Sequence, residues 1–273
     1  MRKFVSIVLL LLTLSVPEAL SQELLAYRDS VQQGYDFLLY LPKQYHETEE
    51  ALPVVVFLHG KSLTGSDLNM VTRYGTIDAL RRGLGINAIV LAPQTPKVGW
   101  IEKNVMNTVD YVAQRYRVDL NRIYLFGMSM GGWGAFKVAA AYPDRIAAAI
   151  AMCGGYTGNV EPLTAVPLWI IHGTNDDVTP FSCSSSIVKK MVATGKADRL
   201  QYTWLSGCNH SILARAFQLK EPYQWLFEHR LSTPMRPCNR DYDISPSDLN
   251  QAYMGLKSPK GNLPITLPKK GDR

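Results

Sequence analysis

The 273-residue chain has few cysteines, few charged residues and no internal repeat. It contains four cysteines, and no two of them have the C-x-x-C spacing typical of structural zinc sites. Charged residues make up 19% of the sequence and hydrophobic residues 47%, which is typical of a globular chain with a sizeable core. These values argue against a zinc site and favour one large domain over two small ones.

Long apolar runs are also scarce, and the one that exists lies at the N-terminus. Residues 1–3 are basic at two positions, residues 5–14 are apolar, and residues 19–21 (ALS) form a small-x-small cleavage pattern. This order predicts a secretory signal peptide over residues 1–21 and a secreted or periplasmic protein. The alternative is an N-terminal membrane anchor, which is disfavoured because the run is too short to span a bilayer.

The net charge of +6 is concentrated towards the C-terminus. Residues 256–273 carry five basic residues against one acidic residue, so the body of the chain is close to neutral. A neutral body with a basic end argues against a nucleic-acid-binding surface. Residues 231–273 are rich in Pro, Ser, Asn and Lys, and we expect them to form an irregular tail after a catalytic domain at residues 22–230.

Short apolar runs alternate with segments of helical period across the predicted domain. A strand pair at 24–27 and 35–41 is followed by predicted strands at 53–58, 87–92, 123–126, 146–152, 167–171 and 200–205. Helices are predicted between them, at 67–82, 104–116, 132–142, 182–194 and 222–230. The alternation predicts an α/β fold, a mainly parallel sheet with helices on both faces. Ligands bind such sheets beyond the carboxyl ends of the strands.

The motif with the clearest chemical meaning is G-x-S-x-G, from Gly127 to Gly131 around Ser129. It lies between a predicted strand and a predicted helix, the context in which a serine is raised above the sheet edge as a nucleophile. The following helix directs free N–H groups towards any negative charge that forms there. A Gly-rich turn of this kind also binds phosphate in other proteins, so the motif needs partners elsewhere in the chain.

A serine nucleophile needs a base, and the base needs an orienting acid. Among five histidines, His210 follows the last predicted strand and is therefore the candidate base. His59 and His172 are expected to be structural, bonded into their loops, and His46 and His229 to lie on the surface. The acid is expected in the loop after residues 167–171.

That loop offers two adjacent carboxylates, Asp176 and Asp177, of which only one can face His210. Asp176 is preferred, with Asp177 in reserve. The tetrahedral oxyanion requires N–H donors. The backbone of Met130 can supply one, and the backbone of Lys61 or Ser62 the second.

Taken together, these motifs resemble those of the α/β-hydrolase superfamily. The resemblance runs over residues 35–230 and is nearest to secreted bacterial esterases of the polyhydroxybutyrate-depolymerase and feruloyl/acetyl-esterase type. It is carried by FLHG (57–60), APQ (92–94), DLNRIY (119–124), GMSMGG (127–132), HGTND (172–176) and Asn209-His210. It implies Asp176 over Asp177 and the Lys61 amide over Ser62. No long lid separates Cys153 from Pro167, so the fold is expected to have no large lid domain.

The predicted function is a serine carboxylic-ester hydrolase with the triad Ser129, Asp176 and His210. Short acyl or hydroxycinnamoyl esters, free or on polysaccharide, are the expected substrates, and neither a metal nor a cofactor is implied. The alternatives are a serine peptidase of the prolyl-oligopeptidase type and a non-catalytic binding protein on the same fold. Trp100 is a candidate for stacking on the substrate. A disulfide between Cys183 and Cys208 is one possible brace for the triad loops.

Overall fold

The computed structural model describes residues 22–255 and 263–268. The predicted signal peptide lies outside these residues. The strands are β1 (Glu23–Tyr27), β2 (Asp36–Leu41), β3 (Leu52–Leu58), β4 (Ile89–Gln94), β5 (Val118–Met128), β6 (Ala148–Met152), β7 (Leu168–Gly173), β8 (Leu200–Leu205) and β9 (Ile265–Thr266). The helices are α1 (Lys43–Glu47), α2 (Thr76–Arg81), α3 (Glu102–Ala113), α4 (Met130–Ala141), α5 (Ser182–Ala193), α6 (Glu221–Phe227) and α7 (Pro246–Met254).

In the described residues the nine strands form one sheet in the order β8-β7-β6-β5-β3-β4-β2-β1-β9. From β4 to β8 each neighbouring pair is parallel, whereas β2 pairs antiparallel with both β1 and β4. This confirms the predicted α/β fold with a mainly parallel sheet. Parallel strands place their carboxyl ends at one edge, and the candidate catalytic residues follow those ends.

Strand β3 is an unbroken apolar run because both faces of the sheet are covered there. All seven residues of β3 are buried. Val54, Val56 and Leu58 belong to the core cluster that contains residues of α3, α4 and α5. Val55 and Phe57 belong to the cluster on the other face, which contains residues of α2, α6 and α7. Burial on both sides is what a parallel sheet requires of its central strands.

The single helix predicted over residues 67–82 is wrong. The segment forms a short 3-10 helix at Leu68–Thr72 and then α2, with Gly75 between them at φ +90°. A Cβ at Gly75 would overlap the ring of Phe57. The backbone therefore turns sharply against β3, and Tyr74 is directed to the carboxyl edge of the sheet rather than along a helix face.

The expectation of an irregular tail is also wrong for two segments. Residues 246–254 form α7, which packs on the 3-10 helix Ser211–Gln218. Ile265 and Thr266 form β9, parallel to β1 at the sheet edge. Ile244, Leu249 and Leu263 are buried in the core, although prolines and lysines around them dilute the apolar pattern in the sequence. None of the described helices combines the length and apolarity needed to cross a membrane.

If α7 is part of the folded domain, truncating its buried leucine will destabilise the whole domain. We expect Leu249→Ala to lower the free energy of unfolding by about 2–4 kcal/mol, through lost burial and a residual cavity. Gln251→Ala on the same helix removes an exposed side chain and serves as the control. Urea unfolding followed by tryptophan fluorescence measures both. Equal, small effects would show that α7 contributes nothing to the core.

Candidate active site

Ser129 occupies a strained turn between β5 and α4. Its backbone lies at φ 58° and ψ −123°, a conformation rarely adopted by residues other than glycine. The turn is tight enough that a Cβ at Gly127 would overlap the carbonyl oxygen of Gly131, and a Cβ at Gly131 would overlap that of Leu58. The two glycines of the motif are therefore required by backbone contact, and the contact brings the Ser129 turn against the end of β3.

Asp176 and His210 are brought together from the loops after β7 and β8. The Nδ1 of His210 lies 2.7 Å from Oδ2 of Asp176. The other carboxylate oxygen accepts the N–H groups of Val178 at 2.9 Å and Thr179 at 2.8 Å. Because an ionised carboxylate only accepts, Nδ1 of His210 carries the proton and Nε2 is left as the basic nitrogen. Asp177 is exposed, so Asp176 is the carboxylate that meets His210.

His172 lies behind this pair and contacts the same carboxylate. Its Nε2 is 3.4 Å from Oδ2 of Asp176 and 3.0 Å from the carbonyl of Thr179, and its Nδ1 is 2.7 Å from the Ser184 hydroxyl. Burial lowers the pKa of His172, partly offset by the Thr179 carbonyl and by Asp176. The expected structural role is confirmed, and the ring also fixes one side of the Asp176 carboxylate.

The acid and base loops are joined by hydrogen bonds, not by the suggested disulfide. Cys183 and Cys208 are both free, as are the two remaining cysteines. The amides of Thr174 and Asn175 donate to the carbonyls of Leu205 and Cys208, at 3.0 and 3.1 Å. The amide of Gly207 donates to the Thr174 hydroxyl at 2.9 Å. These bonds fix the separation of Asp176 and His210 without a covalent link.

Two backbone N–H groups beside Ser129 are candidate oxyanion donors. The N–H groups of Met130 and Lys61 have no hydrogen-bond partner among the described residues. Met130 begins α4, where the first N–H groups of a helix are unpaired by geometry. Lys61 follows Gly60, where a Cβ would lie 3.4 Å from Cβ of Ser129. The loop after β3 therefore touches the nucleophile turn.

Ser129 and His210 line one open cavity of about 650 Å³. Its other walls include Lys61, Ser62, Tyr74, Met128, Val178 and Ala214. In this state no hydrogen bond joins the Ser129 hydroxyl to the His210 ring. Such bonds are often long without substrate and tighten when it binds. The cavity gives a substrate access to both groups from the carboxyl edge of the sheet.

Trp100 does not lie where a stacking role requires it. Its side chain is 2% exposed, its Nε1 donates to the carbonyl of His59 at 3.2 Å, and its ring packs on Gly134. The prediction of a substrate-binding Trp100 is therefore corrected to a core residue. The expectation that His229 lies on the surface is wrong as well. It is 4% exposed, with Nδ1 2.8 Å from the Trp225 carbonyl.

One group of potential metal ligands is found in the described residues. The thiol of Cys153, the carboxylate of Asp176 and the imidazole of His210 lie within 4.8 Å of one another. Burial raises the pKa of the Cys153 thiol, which keeps the unliganded thiol neutral. The other two groups are joined to each other by a hydrogen bond. That bond makes them a candidate acid–base pair.

Comparisons with known proteins show which family and fold the chain is similar to. The sequence model of the dienelactone hydrolase family matches residues 87–224, about half of the chain. The bifunctional acetylxylan esterase/xylanase XynS20E of Neocallimastix patriciarum is 33% identical over 87 residues, which cover 31% of this chain and 13% of that protein. The 20-hydroxy-prefusarin hydrolase FUS2 of Gibberella moniliformis is 30% identical over 148 residues, covering 50% of this chain and 34% of that protein.

Solved structures show the same fold. A thermostable esterase superposes with a TM-score of 0.62 at 27% identity, covering 76% of this chain and 63% of that chain. A ferulic acid esterase superposes with a TM-score of 0.58 at 17% identity, covering 73% and 96%. These likenesses confirm the predicted α/β-hydrolase fold with esterases among its relatives. The matched part spans less than half the length of both curated relatives named above.

Replacing Asp176 by asparagine tests the acid–base pair. An amide cannot accept from His210 and also from Val178 and Thr179 without turning an NH₂ group towards one of these donors. If the NH₂ group faces His210, it donates to Nδ1, and the imidazole proton then lies on Nε2. The ring can no longer act as a base towards Ser129. We expect the rate at which a fluorophosphonate labels Ser129 to fall by roughly 10³- to 10⁴-fold. Asp177→Asn is the matched control, and equal losses in both variants would contradict the assignment.

A second prediction concerns His59, which joins the loop after β3 to the loop after β4. Its Nδ1 donates to the Gly60 carbonyl at 2.7 Å, and its Nε2 accepts the Thr95 amide at 3.2 Å. Burial lowers the pKa of His59 to about 4 from 6.5, with the Gly60 bond opposing the shift. Between these two pH values the unfolded chain binds a proton at this residue and the folded chain does not. The free energy of unfolding must therefore fall as the pH falls from 6.5 towards 4.

Urea titrations at several pH values measure this dependence. For one group the slope is about 1.4 kcal/mol per pH unit within the window. We expect the slope to be smaller by that amount in His59→Asn than in the wild type, whatever the absolute stability of the variant. Identical slopes would mean that His59 does not stay neutral in the folded protein.

Proposed function

The chain belongs to the dienelactone hydrolase family, and from this membership and the geometry of its site we propose that it is a serine carboxylic-ester hydrolase. The observation that carries the proposal is the hydrogen bond between buried Asp176 and His210, at the edge of the cavity that holds Ser129. A serine after β5, a buried carboxylate after β7 and an imidazole after β8, all at the carboxyl edge of one parallel sheet, are the elements of acyl transfer by a covalent intermediate.

In the proposed reaction His210 and Ser129 act as base and nucleophile. Nε2 of His210 takes the proton of the Ser129 hydroxyl as its oxygen attacks the ester carbonyl. Asp176 stabilises the imidazolium that forms, and the proton passes to the leaving alcohol as the acyl-enzyme is produced. Water then attacks the acyl-enzyme with the same base, and the acid product leaves with Ser129 restored.

The negative charge of each tetrahedral intermediate needs donors that are already in place. The unpaired N–H groups of Met130 and Lys61 flank the nucleophile from α4 and from the loop after β3. Donors of this kind contribute several kcal/mol in the transition state, because they need no reorganisation when the charge develops. The strained turn at Ser129 is consistent with such a preorganised site.

The walls of the cavity support esters with a short or planar acyl group as substrates. Met128, Val178 and Ala214 present apolar side chains beside Ser129, and the volume of about 650 Å³ suits an acetyl or a hydroxycinnamoyl group with part of the alcohol. An acetylxylan esterase/xylanase and a ferulic acid esterase are among the similar proteins. We propose such esters, free or on polysaccharide, as the substrate class.

Export is proposed from the sequence of residues 1–21, which have the basic, apolar and small-residue regions of a signal peptide. A polysaccharide ester would be met outside the cytoplasm, so the location and the proposed substrate class are consistent. Cleavage before Gln22 is testable by N-terminal sequencing of the exported protein.

The proposed reaction predicts a definite pattern of hydrolysis. We expect turnover of p-nitrophenyl acetate and butyrate and of methyl ferulate, with much less turnover of p-nitrophenyl octanoate and none of an alanyl anilide. Ser129→Ala should lose at least about 10³-fold in kcat, because the acyl-enzyme can no longer form. Turnover of the anilide alone would instead support a peptidase. A folded wild type with no turnover and no fluorophosphonate labelling would support a binding protein.

A further inference from the structure

Tyr74 is a polar residue of the cavity that the triad does not use. It precedes Gly75, the N-cap of α2 with φ +90°, and its side chain extends to Gly60 at the carboxyl end of β3. The ring packs edge-on against Phe57, with centroids 6.3 Å apart. Tyr74 lines the same cavity as Ser129 and His210.

The phenol oxygen is held by a backbone donor. The N–H of Gly60 donates to Oη of Tyr74 at 2.8 Å. That bond occupies a lone pair of the oxygen, so the phenolic proton must point away from Gly60. The Ser62 side chain is a further hydrogen-bond partner of the phenol. Its hydroxyl rotates and can donate as well as accept, so the phenolic proton is not committed to it.

Tyr74 and Ser129 border the same small space. A Cβ placed on Gly60 would lie 2.7 Å from Oη of Tyr74 and 3.4 Å from Cβ of Ser129. The gap that glycine leaves at this position is therefore shared by the phenol and the nucleophile turn. The backbone N–H of Lys61 is one residue further along the same loop, so phenol and amide approach Ser129 from the same side.

We propose that the hydroxyl of Tyr74 is a third donor to the oxyanion, beside the backbone N–H groups of Lys61 and Met130. The inference rests on the proposed function and deepens it. When Ser129 attacks, the carbonyl oxygen of the substrate becomes an alkoxide and accepts the phenolic hydrogen bond. The proton remains on Tyr74 throughout. When the intermediate collapses the carbonyl re-forms, and the bond returns to its weaker, neutral strength.

Two further features indicate that Tyr74 donates a hydrogen bond and does not transfer its proton. The Gly60 N–H donates into the phenol oxygen, which polarises its O–H bond and strengthens donation to an anion. Burial raises the pKa of Tyr74, opposed by Ser62 and the Gly60 amide, so the phenol stays protonated at neutral and mildly alkaline pH. A side-chain donor here would add to the two amides without reorganising any loop.

Tyr74→Phe tests the proposal, with Tyr35→Phe as the matched control. Both substitutions keep the ring and leave one backbone N–H without its phenol acceptor, that of Gly60 or that of Ile101. Tyr35 does not line the cavity. We expect kcat for p-nitrophenyl acetate to fall on the order of 10²-fold in Tyr74→Phe, with KM within about threefold of the wild type. Tyr35→Phe should retain kcat within about twofold.

Inhibition by a transition-state analogue distinguishes hydrogen-bond donation by Tyr74 from a purely structural effect of the substitution. An aryl trifluoromethyl ketone forms a tetrahedral adduct whose oxygen is anionic. Its inhibition constant should weaken in Tyr74→Phe by a factor close to the loss in kcat/KM, since both measure stabilisation of the same charge. An unchanged inhibition constant, or a loss of kcat equal to that of Tyr35→Phe, would overturn the proposal.

Labelling by a fluorophosphonate tests the role of Tyr74 even if the proposed ester substrates are wrong. The reaction needs Ser129, His210 and the oxyanion donors, but no particular ester. If the wild type is labelled at Ser129 yet hydrolyses no ester, the ester assignment fails. Tyr74 is then judged by the labelling rate alone, which should fall on the order of 10²-fold in Tyr74→Phe. An unchanged rate would overturn the role of Tyr74, and an unlabelled wild type would overturn both proposals.

Discussion

The backbone contact between the nucleophile turn and the end of β3 is the constraint on which the site depends. Gly131 can lie against the Leu58 carbonyl only because it has no side chain. That contact sets the position of α4, and with it the unpaired N–H of Met130. It also brings the loop that begins at His59 against Ser129, so the second amide donor is positioned by the same contact. One steric requirement therefore places the proposed nucleophile and both proposed amide donors.

A buried carboxylate imposes the second condition. Asp176 has no exposed side-chain surface, and an ionised group in that position is stable only if its oxygens are hydrogen-bonded. Val178 and Thr179 satisfy one oxygen, while His210 and His172 face the other. The hydrogen bond between Nδ1 of His210 and Oδ2 of Asp176 fixes the orientation of the His210 ring. The hydrogen bonds between the loops after β7 and β8 hold Asp176 and His210 at a fixed position relative to the sheet.

The sequence predicted the positions of residues that lie next to a recognisable strand, because the strand order also determines where those residues lie in the fold. Ser129, Asp176 and His210 lie at or shortly after the ends of the predicted strands that became β5, β7 and β8, so their convergence at one edge could be predicted from the order of the elements. Trp100 could not be placed in this way, because its burial depends on the space left by Gly134 in another element. Tyr74 was missed because the residues around it have a helical period, which only the contact of Gly75 with Phe57 interrupts. The buried residues of α7 and the tail are separated by prolines and polar residues that conceal any period.

The tail matters for the site because of what it packs against. Helix α7 lies on the 3-10 helix Ser211–Gln218, where Arg215 donates to the Asn250 side chain at 2.9 Å. That 3-10 helix begins directly after His210, and its residues Ser211 and Ala214 form one wall of the cavity. Gly60, Lys61, Met128 and Ser129, at the ends of β3 and β5, line another part of the cavity. The tail therefore supports the part of the cavity beside His210, whereas the part beside Ser129 is formed by the ends of central strands.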